Sequence, residues 1–380
     1  MIAAVMLCAC ATEPAPDLTV ITAAQSTAAT EAEDTELHIP EGMETKYFSL
    51  EFDKRMQDVY DGVVGSISQF EKTTVIPLTV STKDYYRILN IVRCEQLGFF
   101  FLEDRTIGEY NTSAQSFEMD FRYRYTVGEV NTMLSEVEAE AKKIVAMTDS
   151  SMSDYDKLKV FHDYLVRNVE STSDDEYADS IYGALVEKKA LCEGYAKAFS
   201  YLCNLAGIEN MIVTGFTDID HMWNMVKLGD GWYHIDVGWD KPADALLARC
   251  PDMVLYSYFL VSDADLQDQR SISRSMGDPP AADSSDMRWS VHEGCYADSY
   301  AQALEVISEK CRGCIDSGRD WFMIELGSAE LYDTTLSDLT LPDSDGVTDI
   351  QRIADDIGFR GEISCTDHYK SSRILIFILE

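Results

Sequence analysis

Apolar residues recur at helical spacing in several separated stretches of the chain, with strand-like alternation between them. Met56, Val59, Tyr60 and Val63 share one side of a helix predicted over 52–70, and 85–97 reads as a second helix. Phe117, Met119, Phe121, Tyr123 and Tyr125 alternate through 117–127 as a strand does, and 129–147 then reads as an amphipathic helix. Ser153 with Asp156 three residues on resembles a capping box, and Leu158, Phe161, Leu165 and Val169 follow at helical spacing. The polar run 171–179 is a loop. Farther on, 256–261 is an apolar strand, and Gly277-Asp278-Pro279-Pro280 marks a linker. A helix over 298–310, a strand over 321–326, a helix over 347–357 and a strand over 374–379 complete a small α+β unit.

Between these units, 182–242 carries the chemistry. Cys192 precedes Tyr195, Ala198, Phe199, Leu202 and Leu205, a buried helical face that ends at Gly207, so the cysteine stands at a helix N-terminus. Unpaired backbone N–H groups and the macrodipole stabilise an anion there, and thiolate is the nucleophilic form of cysteine. A β-rich run over 211–216 follows. His221 opens the next strand, 221–228, the chain reverses at Gly229-Asp230-Gly231, and 232–236 returns. An imidazole and a carboxylate therefore sit on neighbouring antiparallel strands, as a nucleophile needs a base and the base needs an orienting group. A two-residue Asp230-Gly231 turn sets Asp236 opposite Met225, two same-face positions from His221, so contact needs a shift or a bulge. His234, on the face of Asp236, competes as the base, and Cys203 reads as core.

Composition narrows the partners. Sixty-seven acidic against 31 basic side chains give a net charge of −36, a field that repels phosphate backbones, so nucleic acid is not expected as a partner. Ten cysteines in 380 residues lack framework spacing, and Cys311-x-x-Cys314 near the end of a helical pattern suits neither a redox nor a zinc site. No cofactor and no metal is called for. The segment MIAAVMLCAC reads as the apolar part of a signal peptide without its basic start, which suggests a start upstream of Met1. Leu7-Cys8-Ala9-Cys10 resembles a bacterial lipoprotein box with Cys10 as the lipidated residue. The Thr-, Ala-, Pro- and Glu-rich run behind it reads as a flexible tether.

Four motifs in order, Cys192-Glu193-Gly194-Tyr195-Ala196, Gly207-Ile208, His221-Met222-Trp223-Asn224 and Trp232-Tyr233-His234-Ile235-Asp236, closely resemble the transglutaminase-like superfamily. Tyr182-Gly183-Ala184-Leu185 fits its bacterial exported branch, and the likeness covers roughly 153–261. Lys188-Lys189 and Val237-Gly238 depart from the Gly-Lys and Val-Thr pairs common there. The resemblance implies an α+β, papain-like core in which a helix carrying Cys192 packs on an antiparallel sheet carrying His221 and Asp236. It implies Cys192 as nucleophile, His221 as base and Asp236 as orienter. The Cys192 N–H would serve as an oxyanion donor, with Tyr182 as a possible side-chain donor.

The expected organisation is a signal peptide over 1–10, a tether over 11–44 and an N-terminal α+β segment without catalytic residues over 45–148. A catalytic domain over 149–270, a linker over 271–290 and a small C-terminal α+β domain over 291–380 follow. The expected function is exported, membrane-anchored hydrolysis of a peptide-type amide through a Cys192 thioester, with a protein or peptide as substrate. The alternatives are glutamine-to-amine transfer, or a non-catalytic binding module on the same fold.

Overall fold

The computed structural model describes residues 35–380 except 78, 104–106, 112, 114–115, 267–268 and 370–371. Cys10 and the tether as far as residue 34 lie outside the described residues, and Thr35–Glu380 forms one contact unit.

Lys54–Ser68 (α1) begins where the Asp53 side chain accepts the N–H groups of Arg55 and Met56, and Ser81 starts Thr82–Glu95 (α2) in the same manner. Thr73–Pro77 (β1), Ile107–Asn111 (β2) and Ser116–Asp120 (β3) make an antiparallel sheet with β3 in the middle. The alternation expected to run through 127 stops at Asp120, and Tyr123 forms only an isolated bridge with Leu102. Val127–Val145 (α3) and Asp154–Asn168 (α4) both start at capping boxes, Thr126 with Glu129 and Ser153 with Asp156.

Glu170–Ser171 (β4) and Lys189–Ala190 (β5) pair in parallel just before Cys192–Leu205 (α5). Nearly every residue of α5 from Glu193 to Cys203 is buried, which is why small and aromatic residues fill it on all sides. It packs on an antiparallel sheet built from Asn210–Phe216 (β6), Asp220–Leu228 (β7), Gly231–Ile235 (β8), Phe259–Val261 (β9) and Ser271–Ile272 (β10), in the order β10-β6-β7-β8-β9. The fold is α+β, with the cysteine helix laid across the sheet that carries His221.

One continuous core joins α1–α5 and this sheet. The C-terminal sheet, whose long strands are Trp321–Leu326, Ile363–Tyr369 and Ile374–Leu379, divides its faces. Trp321, Met323, Ile376 and Ile378 enter the main core, while Phe322, Ile324, Leu375 and Phe377 enter a second core with the helices Tyr300–Ser317, Ala329–Thr340 and Asp349–Ile357. Period-2 alternation with both faces apolar produces that division.

Two expected boundaries differ from the structure. Residues 35–44, read as the end of the tether, are docked: Met43 is buried, its carbonyl accepts the Leu97 N–H, and Asn204 Nδ2 donates to Gly42 O at 2.7 Å. Residues 271–290, read as a linker, supply β10 and bury Met276, Ala282, Arg288 and Trp289. Polar composition hid both, because their anchoring contacts are long-range backbone bonds and single apolar side chains.

Candidate active site

The start of α5 is held from three sides. Leu191 N–H bonds Ala178 O at 2.7 Å, and Gly194 approaches the same loop so closely that a Cβ there would lie 2.6 Å from Ala178 O and 2.9 Å from Ser180 O. Tyr195 donates its hydroxyl to Val169 O at 2.7 Å. From the sheet, Asn224 Nδ2 reaches Ala196 O at 3.0 Å, fixing the helix against β7. The Cys-x-Gly-Tyr and His-x-Trp-Asn motifs are thus two sides of one joint. No side chain caps α5 at Leu191, and half-buried Cys192 is its first residue. The orphan N–H groups of that turn remain available to an anion.

The hairpin brings His221 and Asp236 together through its turn. Leu228 pairs with Gly231, so the chain reverses at Gly229-Asp230, one residue earlier than the Asp230-Gly231 turn expected. Gly229 takes φ 59°, which the first position of such a tight loop requires. With Asn224 opposite Ile235, Asp236 comes level with Trp223, a single same-face step from His221. Diagonal neighbours across strands are within reach of long side chains. No bulge interrupts the β7–β8 pairing, and His221 Nε2 donates to Asp236 Oδ2 at 2.7 Å. The bulge lies instead between β8 and β9, where Leu260 takes φ 58°.

Asp236 has further partners that the sequence did not reveal. Arg270 Nη1 bonds the same Oδ2, the Trp239 N–H lies 3.4 Å from Oδ1, and Asp236 N–H donates to Tyr258 O at 3.1 Å. The buried Arg270 guanidinium sits over the rings of Tyr258, Trp239 and Trp223 at 4.4, 4.6 and 5.2 Å. An isolated arginine 34 residues downstream carries no spacing signal, so only the fold assigns it. Beneath Tyr258, Asp240 accepts its backbone N–H at 3.0 Å and also bonds His162 Nε2 at 3.0 Å, which ties α4 to the same loop.

Burial opposes charge on His221, but its hydrogen bonds with Asp236 and Cys192 outweigh burial and push the imidazole up to about 9. Burial likewise opposes ionisation of Asp236, and here His221 and Arg270 hold the carboxyl below its ordinary range. With Nε2 committed to Asp236, Nδ1 is the nitrogen left for a second partner.

Other expected residues fall elsewhere. The Tyr182 hydroxyl donates to Glu136 Oε2 at 2.9 Å, burial and then that bond push the phenol up to about 12, and Tyr182 does not line the Cys192 cleft. The resemblance had offered Tyr182 as a donor, but the short helix Gly183–Glu187 and β5 lie between it and Cys192 in the chain. His234 accepts from Trp223 Nε1 at 3.0 Å and bonds Asp263 at 2.8 Å, so both its nitrogens are occupied away from Cys192. Trp223 is buried and Trp232 packs on Tyr47, whereas Trp239 is 40% exposed with its ring 5.4 Å from that of His221. Cys311 and Cys314 are buried in the helix Tyr300–Ser317. Lys188, at the position where the superfamily commonly has glycine, keeps a left-handed φ of 59°.

Cys192 and His221 open onto a cleft of about 330 Å³. Asn90, Arg93 and Cys94 of α2 form one wall, and Ser273, Ser275 and Met276 another. The N-terminal segment, expected to lack a role in the site, therefore helps to build it, as does the stretch expected to be a linker. Beside the cysteine, buried Glu193 is bonded by Arg93 Nε at 3.0 Å and by Lys197 Nζ at 2.8 Å. Burial alone would raise its carboxyl, but those two cations hold it low.

Residues 142–237, which contain Cys192, His221 and Asp236, match the family model described as the transglutaminase-like superfamily. This segment belongs to that superfamily. The chain is 30% identical over 91 residues to the kyphoscoliosis peptidase of Homo sapiens and 28% identical over 91 residues to that of Mus musculus. Each alignment covers 20% of this chain, and the chain spans only 14% of the length of these relatives. Among solved structures, one described as a crystal structure of a TGase aligns with a TM-score of 0.26 at 14% identity, covering 43% of this chain and 50% of that one. Arg270 and α2 lie outside the matched segment.

Proposed function

We propose that this chain is a cysteine-dependent acyl-group enzyme that hydrolyses a peptide-type amide through a thioester on Cys192. The observation that carries the reading is His221, bonded to Asp236 at 2.7 Å through Nε2 and lining the same open cleft as Cys192. The name of the peptidase relatives agrees with it. Charge balance supports a thiolate–imidazolium pair. Arg270 and protonated His221 give two positive charges against the single charge of Asp236, and a Cys192 thiolate completes neutrality.

In the acylation step the Cys192 thiolate attacks the amide carbon and the C–S bond forms. The N–H groups at the start of α5 receive the oxyanion. His221 Nδ1–H protonates the leaving nitrogen, the C–N bond breaks, and a thioester and an amine result. Neutral His221 then takes a proton from water, whose oxygen attacks the thioester. The C–S bond breaks, restoring the charged pair and releasing the carboxylic acid, which gives its proton to solvent. Asp236 holds the imidazole through both steps, and Arg270 holds Asp236.

The test incubates the full chain with a glutamine-containing peptide library, with and without a labelled primary amine, beside Cys192→Ala. Cys192-dependent hydrolysis is expected. Amine incorporation without hydrolysis would make the protein a transferase, and no turnover with either acceptor would favour a binding module.

The extracytoplasmic, lipid-anchored placement is part of the same proposal and rests on the Leu7–Cys10 sequence. Expressed with its upstream start, the protein should fractionate with membranes, and Cys10→Ser should release it or block maturation. Unmodified wild-type protein in the cytosol would overturn that placement.

A further inference from the structure

A second cavity, of about 240 Å³, adjoins the Cys192 cleft and shares Asn90, Arg93 and Glu193 with it. Its inner walls are apolar: Ile67 of α1, Leu89 and Val92 of α2, Phe100, Met119 and Phe121. Apart from Asp179, Glu193 and Lys197, every residue that lines it precedes the segment matched to the superfamily. The charges at the shared edge are already committed to one another, since Arg93 and Lys197 both bond Glu193. A side chain entering the chamber loses its hydration against the apolar walls, and an acidic one also meets Glu103 and Asp179, which line it together with Gln96. Asn90, exposed at the junction, offers both a donor and an acceptor to a passing backbone amide.

We infer that this chamber is a side-chain subsite that takes one large aliphatic or aromatic residue of a peptide whose reacting amide lies on the Cys192 sulfur. The inference rests on the proposed Cys192 chemistry and adds a substrate class to it. Continuity with the Cys192 cleft, the apolar inner walls and the paired Arg93–Glu193–Lys197 edge favour an apolar side chain, and Glu103 and Asp179 exclude an acidic one. Missing apolar groups in such pockets are discriminated by about tenfold or more in rate.

The experiment uses the full chain and a series of acetylated dipeptidyl vinyl sulfones, with Phe, Leu, Ala, Glu or Lys placed one or two residues from the electrophile. Each variant's rates are divided by its own rate with iodoacetamide, so a general change in Cys192 reactivity cancels. At one of the two positions, Phe or Leu should exceed Ala, Glu and Lys by about tenfold. Leu89→Trp, which fills the chamber, should bring the Phe-to-Ala ratio close to one. The milder Leu89→Ala should move the preference toward larger side chains, and it provides a second reading if Leu89→Trp does not fold. Equal rates across the series, a preference for Glu or Lys, or a ratio unmoved by the Leu89 variants would overturn the subsite while the Cys192 chemistry stands. Failure of iodoacetamide to label Cys192 in the folded protein would overturn the underlying reading, and the subsite with it.

Discussion

Arg270 and His221 bond the same oxygen of Asp236, in a part of the protein where all three side chains are buried. The carboxylate therefore divides its charge between an imidazole that shares a cleft with Cys192 and a guanidinium enclosed by Tyr258, Trp239 and Trp223. Arg270 does not line the cleft and reaches His221 through Asp236 and through the ring of Trp239.

Arg270→Met should destabilise the fold by about 3 kcal/mol, as expected when one partner of a buried ion pair is removed. It should also raise the titration midpoint of His221, which becomes the main cation facing Asp236. Arg270→Lys keeps the charge but not the planar stacking, and should fall between wild type and Arg270→Met. Chemical denaturation and an NMR titration of the His221 ring measure both effects. A His221 midpoint unchanged in Arg270→Met would remove Arg270 from the site.

The elevation of His221 to about 9 fixes a pH window. Because the folded-state value lies above the ordinary 6.5, the stabilisation is fully present below pH 6.5 and is lost as pH rises through about 9. Relative to His221→Gln, the wild-type protein should lose up to about 3 kcal/mol across that interval. Hydrolysis should fall along the same limb as the imidazolium that protonates the leaving group disappears. Denaturation curves at stepped pH provide the check; a wild-type-minus-variant difference that stays flat from pH 6 to 10 would contradict it.

The two candidate bases separate by mutation. His234→Ala leaves the Trp223 indole N–H without its acceptor and should cost about 2 kcal/mol of stability. The pH profile of Cys192 alkylation should survive that change and be lost in His221→Ala. Alkylation followed by peptide mapping reads both variants. The reverse pattern would transfer the role of base to His234.

Much of this arrangement was legible in the sequence because it is local. The capping box at Ser153, the all-apolar face behind Cys192 and the strands 321–326 and 374–379 follow from spacing alone, and the helix and strand periods of 3.6 and 2 fix their buried faces. The hairpin was legible as a hairpin, yet its register depended on which glycine took positive φ, and Gly229 and Gly231 were both available. One residue of turn placement decides whether Asp236 stands one or two same-face positions from His221.

The sequence by itself determined that a cysteine begins a buried helix and that a histidine and an aspartate flank one hairpin, because helix periodicity and turn chemistry act over a few residues. Only the tertiary structure decided what surrounds them. Arg270 meets Asp236 across 34 residues, α2 walls the cleft from about 100 residues upstream of Cys192, and Tyr182 turns toward Glu136. Such pairings are set by which elements share a core and by where a charge can find a buried partner. Neither leaves a periodic trace in the chain, so the resemblance alone misplaced Tyr182 and nothing in the sequence pointed to Arg270.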